Sequence, residues 1–197
     1  CLFNSNILYK EYNLQSVLNF INVKNMNTHV MCVEHRLDNL PELTSSVNAL
    51  VLKKFYNQKN TFEVNPHYFS RQGKHNKNKI VNFVVAGNIQ KARKNFDLLI
   101  NSVNYLVDKN ITDFKITVIG GGKLDGVPEN IKAFFDVKGR LSYPDLYRYV
   151  SEADFFMTLL DPELKEHDRY IKLGTSGSFQ LIYGLNIPCL IASKFAK

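Results

Sequence analysis

The chain after residue 79 alternates short apolar runs with segments whose apolar residues recur every three or four positions. Runs of this length suit buried strands, and the recurring spacing is typical of helices with one apolar face. A strand, a helix and a further strand in series favour parallel pairing through right-handed crossovers. The pattern therefore predicts a doubly wound parallel α/β sheet. Its predicted strands cover 80–86, 115–119, 154–160 and 187–192, with a short run at 131–137, and its predicted helices cover 95–109, 142–153 and a segment that opens at 175–178.

The first part of the chain carries a weaker pattern. It predicts one amphipathic helix over 7–21 and two strands over 28–34 and 49–55, which is too little for an independent domain. We therefore interpret residues 1–70 as the closing portion of a larger α/β unit. The basic run 71–79, rich in Gly and Asn, is predicted to be a solvated linker to the domain at 80–197. The chain begins at Cys1 without a signal-peptide pattern, and we expect it to be a fragment.

The charge balance narrows the range of partners. Twenty-five Lys and Arg against eighteen Asp and Glu give a net charge of +7, which favours nucleic acid, acidic lipid or a phosphorylated ligand. A hydrophobic content of 45% excludes wholesale disorder, and no apolar run reaches the roughly 18 residues that a membrane span needs. Cys1, Cys32 and Cys189 are far apart, so we interpret them as core residues in a reducing compartment.

Ligands of doubly wound sheets bind where the strands reach their carboxyl ends, so four loops are candidates: 87–94, 120–123, 139–141 and 161–178. In the first loop, Lys91, Arg93 and Lys94 come just ahead of a helix. Three cations there oppose the positive end of the helix dipole unless an anion such as phosphate offsets them. The alternative is that these are surface cations that point into water.

The last loop carries the complementary feature. Thr175, Ser176, Gly177 and Ser178 open a helix, so hydroxyls and free backbone N–H groups converge where phosphate oxygens can be held. The alternative is an ordinary Ser/Thr helix cap.

Several familiar sites are excluded by spacing. The run Gly120–Gly122 fails the G-x-G-x-x-G pattern of dinucleotide-binding dehydrogenases, because Asp125 occupies the third glycine position. A phosphate-binding G-x-x-x-x-G-K-[ST] loop is absent from the sequence. The five histidines show no metal-ligand spacing, so no metal site is predicted.

Residues 80–192 resemble the C-terminal, nucleotide-sugar-binding domain of GT-B glycosyltransferases of the group 1 type. The segments that carry the resemblance are Gly87, the pair Arg93-Lys94, the run TVIGGG at 117–122, VKGRLS at 137–142 with Asp145-Leu146, ADFF at 153–156, and SGS at 176–178 with Pro188 beyond it. The run NPHYF at 65–69 resembles the interdomain crossing of these enzymes. By this resemblance, the preceding residues are the tail of the acceptor domain, and further elements would follow residue 192.

The resemblance implies a Rossmann-like fold and a set of roles. Arg93 and Lys94 would be the catalytic electrostatic groups. The residues expected to bind the donor are Gly87, Asn88, Gly121, Arg140, Leu141, Thr175, Ser176, Gly177, Ser178 and Gln180. Many members carry two glutamates eight positions apart around the last helix, the second binding ribose. Here Glu163 and Glu166 come too early, and Gln180 or Leu181 falls near the ribose position.

The implied function is transfer of a hexose from a nucleoside-diphosphate-sugar donor to an acceptor hydroxyl, without a metal or further cofactor. The resemblance implies a glycan or lipid-linked acceptor, polysaccharide, capsule or lipopolysaccharide biosynthesis, and a cytoplasmic protein at the inner face of an anionic membrane. Candidates for an acid or base are Glu34, His35 and Asp161. The alternative function is a non-catalytic module that binds a nucleotide or phosphoglycan. Nucleic acid is not expected as a partner, because pairs such as Phe134-Phe135 fall in predicted core segments and do not interleave with the basic run.

Overall fold

A computed structural model describes residues 2–4, 31–34, 48–51, 61–63, 80–90, 93–172 and 174–196, and every structural statement below concerns these ranges. The chain divides into two compact units. One comprises Cys1–Pro66 with Lys172–Thr175, and the other comprises His67–Ile171 with Ser176–Lys197. The predicted helix at 7–21 and the predicted linker at 71–79 lie outside the described residues.

The first unit contains a parallel sheet of four strands that pair in chain order. The strands are β1 (Leu2–Asn4), β2 (Met31–Glu34), β3 (Asn48–Val51) and β4 (Thr61–Glu63). β2 and β3 fall within or beside the two predicted strands, whereas the sequence pattern missed β1 and β4. That residues 1–70 are the tail of an acceptor domain stays a prediction.

The second unit contains a five-stranded parallel sheet in the order β7-β6-β5-β8-β9, with helices between its strands. The strands are β5 (Val81–Ala86), β6 (Phe114–Ile119), β7 (Phe135–Gly139), β8 (Phe155–Met157) and β9 (Cys189–Leu190). The helices are α1 (Phe96–Asp108), α2 (Tyr143–Glu152), α3 (Arg169–Lys172), whose last residue is assigned to the first unit, and α4 (Gly177–Leu185). Three 3₁₀ helices cover Glu129–Phe134, Lys165–His167 and Ser193–Phe195. The predicted doubly wound α/β architecture is confirmed.

The strand order places a topological switch point between β5 and β8. β5 is the first strand of this sheet, and it is flanked by the second strand on one side and the fourth on the other. Connections therefore leave β5 and β8 in opposite directions, which opens a crevice between the loops that follow them.

Side chains on both faces of β5 are buried, as expected for an inner parallel strand. Val85 packs in a cluster with Leu99 and Val103 of α1, whereas its neighbour Val84 packs in a cluster with Val150 of α2 and Leu185 of α4. Helices therefore cover both faces of the sheet, and the backbone at its carboxyl edge is held by two cores.

Several predicted boundaries were wrong. The run at 154–160 forms strand only over β8, because Leu159 adopts a left-handed conformation (φ 52°) that ends the extended chain. The run at 187–192 forms only the two-residue β9, and the run at 131–137 divides between a 3₁₀ helix and β7. The polar loop at 161–178 contains a 3₁₀ helix and α3, which the sequence pattern missed. No helix in the described ranges has the length and apolar character to span a bilayer.

Candidate functional site

Three loops meet at the carboxyl edge of the sheet and are joined by backbone hydrogen bonds. Gly87 N donates to Ile119 O at 2.8 Å, Ile89 N donates to Gly121 O at 2.9 Å, and Gly120 N donates to Gly139 O at 2.8 Å. The loops after β5, β6 and β7 therefore form one continuous rim.

Glycines make this close approach possible. A Cβ atom on Gly120 would overlap the carbonyl group of Gly87, so any larger residue would force the two loops apart. Gly87 itself has φ +126°, and a Cβ there would lie 3.0 Å from Cε of Lys94. The aliphatic part of Lys94 thus runs directly beneath the glycine that ends β5.

Lys94 lies at the centre of the crevice between β5 and β8. Its side chain is only 4% exposed, and Nζ donates to Thr158 O at 2.9 Å and to Ser178 Oγ at 3.1 Å. Thr158 follows β8 and Ser178 is in the first turn of α4, so one ammonium group joins three elements. The sequence left open whether this lysine pointed into water, and the structure shows that it does not.

No carboxylate lies within ion-pair distance of Lys94 among the described residues. Burial removes the ammonium from water and lowers the pKa of Lys94 from its ordinary 10.5 to about 8. At neutral pH the group is thus a buried cation whose hydrogen-bond acceptors, among the residues that the structure describes, are all neutral. Such a group gains strongly from any anion that reaches it.

Asn95 fixes the backbone next to Lys94. Its Oδ1 accepts from Leu98 N at 3.0 Å and caps α1, and its N–H donates to Leu159 O at 2.9 Å. Its Nδ2 donates to Asp161 Oδ2 at 2.5 Å. Residues 94–95 are therefore clamped to the segment 158–161 that follows β8.

Asp161 and His167 continue this network. Asp161 N donates to His167 Nδ1 at 2.8 Å, and Glu163 N donates to Asp161 Oδ1 at 2.9 Å. The hydrogen bonds from Glu163 and Asn95 hold the pKa of Asp161 below its usual value. His167 is fully buried, and its Nε2 has no hydrogen-bond partner among the described residues.

The opening of α4 is capped by Ser176. Its Oγ accepts from Ser178 N at 3.3 Å, and its carbonyl accepts from Phe179 N at 3.0 Å. Gly177 is exposed, and a Cβ added there would meet nothing within 4 Å. The helix end thus presents open backbone at Gly177, one residue from the hydroxyl that Lys94 contacts.

Arg140, from the loop after β7, crosses the rim at another point. A Cβ on Gly121 would lie 2.5 Å from Nε of Arg140, so the guanidinium group lies over this glycine. Leu141 is half-buried and packs against the core cluster that contains Val150.

The structure brings some of the predicted residues together and leaves others apart. Gly87, Lys94, Ser176 and Ser178 form one contact network, and Gly121 and Arg140 form a second. Arg93 and Asn88 are exposed, and Gln180 is half-buried on α4. Thr175 belongs to the other compact unit, and its Oγ1 is buried without a hydrogen-bond partner among the described residues. Their roles, and the roles given to the whole set, stay predictions.

Sequence reasoning assigned no role to four residues that hold this region together, although Gly120 and His167 fall inside candidate loops. They are Gly120, Asn95, Thr158 and His167, and two of them left a signal in the sequence. Asn95 directly precedes a helical pattern, where a cap is common, and Gly120 follows a strand directly. Thr158 contributes only a backbone carbonyl, and His167 lies in a segment without a periodic pattern.

Metal ligands do not cluster in this part of the molecule. Within the described ranges, no three His, Cys, Asp or Glu side chains gather as a metal site would require. Cys189 is a half-buried free thiol, and burial raises its pKa.

The sequence matches no protein-family model, and the comparison with curated proteins also gives no match. Solved structures do match. A point mutant of S. aureus TarM in complex with Fondaparinux, alpha-GlcNAc-glycerol and UDP aligns with a TM-score of 0.57 at 13% identity, over 89% of this chain and 39% of TarM. The GtfA/B complex aligns with a TM-score of 0.48 at 10% identity, over 91% of this chain and 50% of the other. The chain thus spans half or less of the length of these proteins, and the likeness to TarM confirms the predicted GT-B glycosyltransferase fold.

Proposed function

We propose that the chain is part of a glycosyltransferase, and that its crevice binds the diphosphate of a nucleoside-diphosphate-sugar donor. The observation that carries this proposal is Lys94, a buried ammonium group at the topological switch point with no carboxylate beside it among the described residues. Ligands of doubly wound sheets bind at this point.

A diphosphate fits the chemistry of the crevice. The ammonium group has three N–H donors, of which Thr158 O and Ser178 Oγ take two. The open backbone at Gly177 lies at the positive end of α4, which favours a second anionic oxygen close by. Arg93 is exposed on the same loop as Lys94, and we propose that it supplies a further positive charge to the diphosphate.

The same groups suit transfer and not only binding. As the glycosidic bond breaks, the departing diphosphate gains negative charge, so fixed cations stabilise the transition state more than the bound donor. We propose that Lys94 and Arg93 supply this stabilisation without a metal ion. The GT-B fold, shared with TarM, supports glycosyl transfer as the reaction class.

The remaining contacts of the donor are proposed from the rim. Arg140 and Leu141 would meet the nucleobase, with Asn88 and Gly121 along the diphosphate path and Gln180 near the ribose. The solved TarM complex contains UDP, which makes UDP the first ligand to test here. A hexose as the transferred sugar, a glycan or lipid-linked acceptor, and a role in surface polysaccharide synthesis at the cytoplasmic face of an anionic membrane complete the proposal.

Titration calorimetry with UDP tests the diphosphate site. Lys94→Met should weaken UDP binding on the order of 100-fold, because a buried charged donor is lost, and Arg93→Ala should weaken it less. Lys109→Met is the matched control, since this exposed lysine caps the far end of α1 and should leave affinity unchanged. UDP affinity equal to that of the wild type in both Lys94→Met and Arg93→Ala would remove the proposal.

The second candidate is a binding module without catalysis, and Gln180 favours it. A neutral amide stands near the position where many GT-B enzymes carry a glutamate that binds ribose. Incubation with a UDP-hexose separates the two. Slow release of free hexose, absent in Lys94→Met, supports transfer, whereas binding without any release supports the module.

A further inference from the structure

His167 is a buried titratable side chain that the proposed chemistry does not use. It is 0% exposed, and its ring centroid lies 6.2 Å from that of Tyr170. It forms one described side-chain hydrogen bond, in which Nδ1 accepts from Asp161 N at 2.8 Å.

That bond determines the protonation state of the ring. A nitrogen that accepts from an N–H cannot carry a proton itself, so the neutral imidazole carries its hydrogen on Nε2. Burial lowers the pKa of His167, the neighbouring Lys94 lowers it further, and Asp161 and Glu166 raise it. The ring is therefore neutral at physiological pH, with Nδ1 as an acceptor.

A continuous series of contacts connects Nδ1 of His167 to Lys94. His167 holds the N–H of Asp161, and the carboxylate of Asp161 holds the side chain of Asn95. The N–H of Asn95 donates to Leu159 O. One residue earlier in each segment, Nζ of Lys94 donates to Thr158 O, so these contacts clamp residues 94–95 to segment 158–161.

The clamp includes a strained residue. Leu159 has φ 52°, a conformation that costs a β-unbranched residue about 1 kcal/mol or more and persists only when its surroundings hold it. Its carbonyl is held by Asn95 on one side, and the segment after it is held by His167 on the other. Loss of the His167 bond leaves a partly buried N–H without this acceptor and frees the segment to relax.

We propose that His167 is a positioning residue for Lys94, acting through Nδ1 to hold segment 158–161 against residues 94–95. The consequence for donor binding rests on the proposed function, whereas the consequence for Lys94 itself does not.

Two substitutions of His167 distinguish the roles of its two ring nitrogens. In His167→Asn, Oδ1 is as many bonds from Cβ as Nδ1 is in histidine, so it can still accept from Asp161 N. In His167→Gln, the polar atoms sit where Nε2 sits, and the Asp161 N–H loses its acceptor. Asparagine is the smaller residue, so a role in packing alone would make it the more damaging change.

The first readout is the pKa of Lys94 in the full chain without ligand, followed by NMR of the lysine side chains and assigned with Lys94→Met. His167→Asn should keep this pKa near the value of about 8 that burial imposes. His167→Gln should raise it towards 10.5, because a loosened clamp lets the ammonium reach water. The second readout is UDP affinity, which should fall about tenfold in His167→Gln and stay within about twofold in His167→Asn.

An unchanged Lys94 pKa in both variants, or a shift in His167→Asn as large as in His167→Gln, would overturn the inference. If His167→Gln does not fold, His167→Asn decides alone, since a shifted Lys94 pKa in that folded variant refutes the role of Nδ1 and a retained one supports it. If the wild type does not bind UDP and the pKa pattern holds, the proposed function fails and the positioning role stands.

Discussion

Lys94 is a residue whose burial destabilises the free protein at neutral pH. Its stem packs under Gly87, and within the described part of the chain its ammonium group bonds only to neutral oxygens. The difference between a pKa of 10.5 and one of about 8 corresponds to a cost of about 3 kcal/mol for holding the charge inside the folded chain. An anion that entered the crevice would offset this cost, so under the proposed function the buried lysine serves binding and not stability.

This cost predicts a pH dependence of stability. Between about pH 8 and 10.5 the unfolded chain keeps the proton on Lys94 while the folded chain has lost it, so the unfolded state binds more protons and folding stability rises with pH. In Lys94→Met this contribution disappears. We therefore expect that the unfolding free energy of the wild type, measured with urea, rises by up to about 3 kcal/mol relative to that of Lys94→Met as the pH increases through this range. Lys109→Met should follow the wild type, and parallel curves for wild type and Lys94→Met would contradict the burial of this ammonium.

At the scale of elements, the sequence pattern predicted the helices well, because helix formation depends mostly on residues close together in the chain. The helix expected over 95–109 is α1, capped by Asn95, and the helix expected over 142–153 is α2, capped by Ser142. β8 and β9 were predicted too long, because strand length depends on partners distant in the chain and on the left-handed turn at Leu159. The burial of Lys94 was equally hidden, since Lys91, Arg93 and Lys94 look alike in the sequence. It is contact with Thr158, after β8, and with Ser178 of α4 that buries Lys94.

Removal of the two helix caps should lower the unfolding free energy by different amounts. Asn95 caps α1 and also binds Asp161 and Leu159 O, whereas Ser142 caps α2 at an exposed position. Asn95→Ala removes both the cap and the side-chain bond to Asp161, so we expect a loss of about 2 kcal/mol in unfolding free energy. Ser142→Ala should lose roughly 0.5–1 kcal/mol. Equal losses in chemical denaturation would show that the clamp on segment 158–161 contributes nothing.

At the scale of the whole molecule, the proposed function predicts that the charge of +7 and the crevice make separable contributions to anion binding. Surface charge attracts any polyanion, and this attraction falls steeply with salt. The crevice instead depends on one buried cation and on backbone groups brought to a single edge of the sheet by the strand order. A ligand of the crevice should therefore be identified by the residues that it protects, and not by how strongly salt weakens its binding.

Hydrogen exchange tests this distinction. UDP at about 100 times its dissociation constant should stabilise the folded state by about 2.7 kcal/mol and slow exchange most at the carboxyl edge, in residues 87–90, 120–122 and 176–179. The amino-edge turn at 109–113 should show no local protection beyond this global effect. Lys94→Met should lose the pattern, and a single-stranded oligonucleotide should not reproduce it at any salt concentration. Protection centred on the amino edge, or the same protection with the oligonucleotide, would place the anion site elsewhere on the molecule, because the amides that meet at the switch point belong to one edge only.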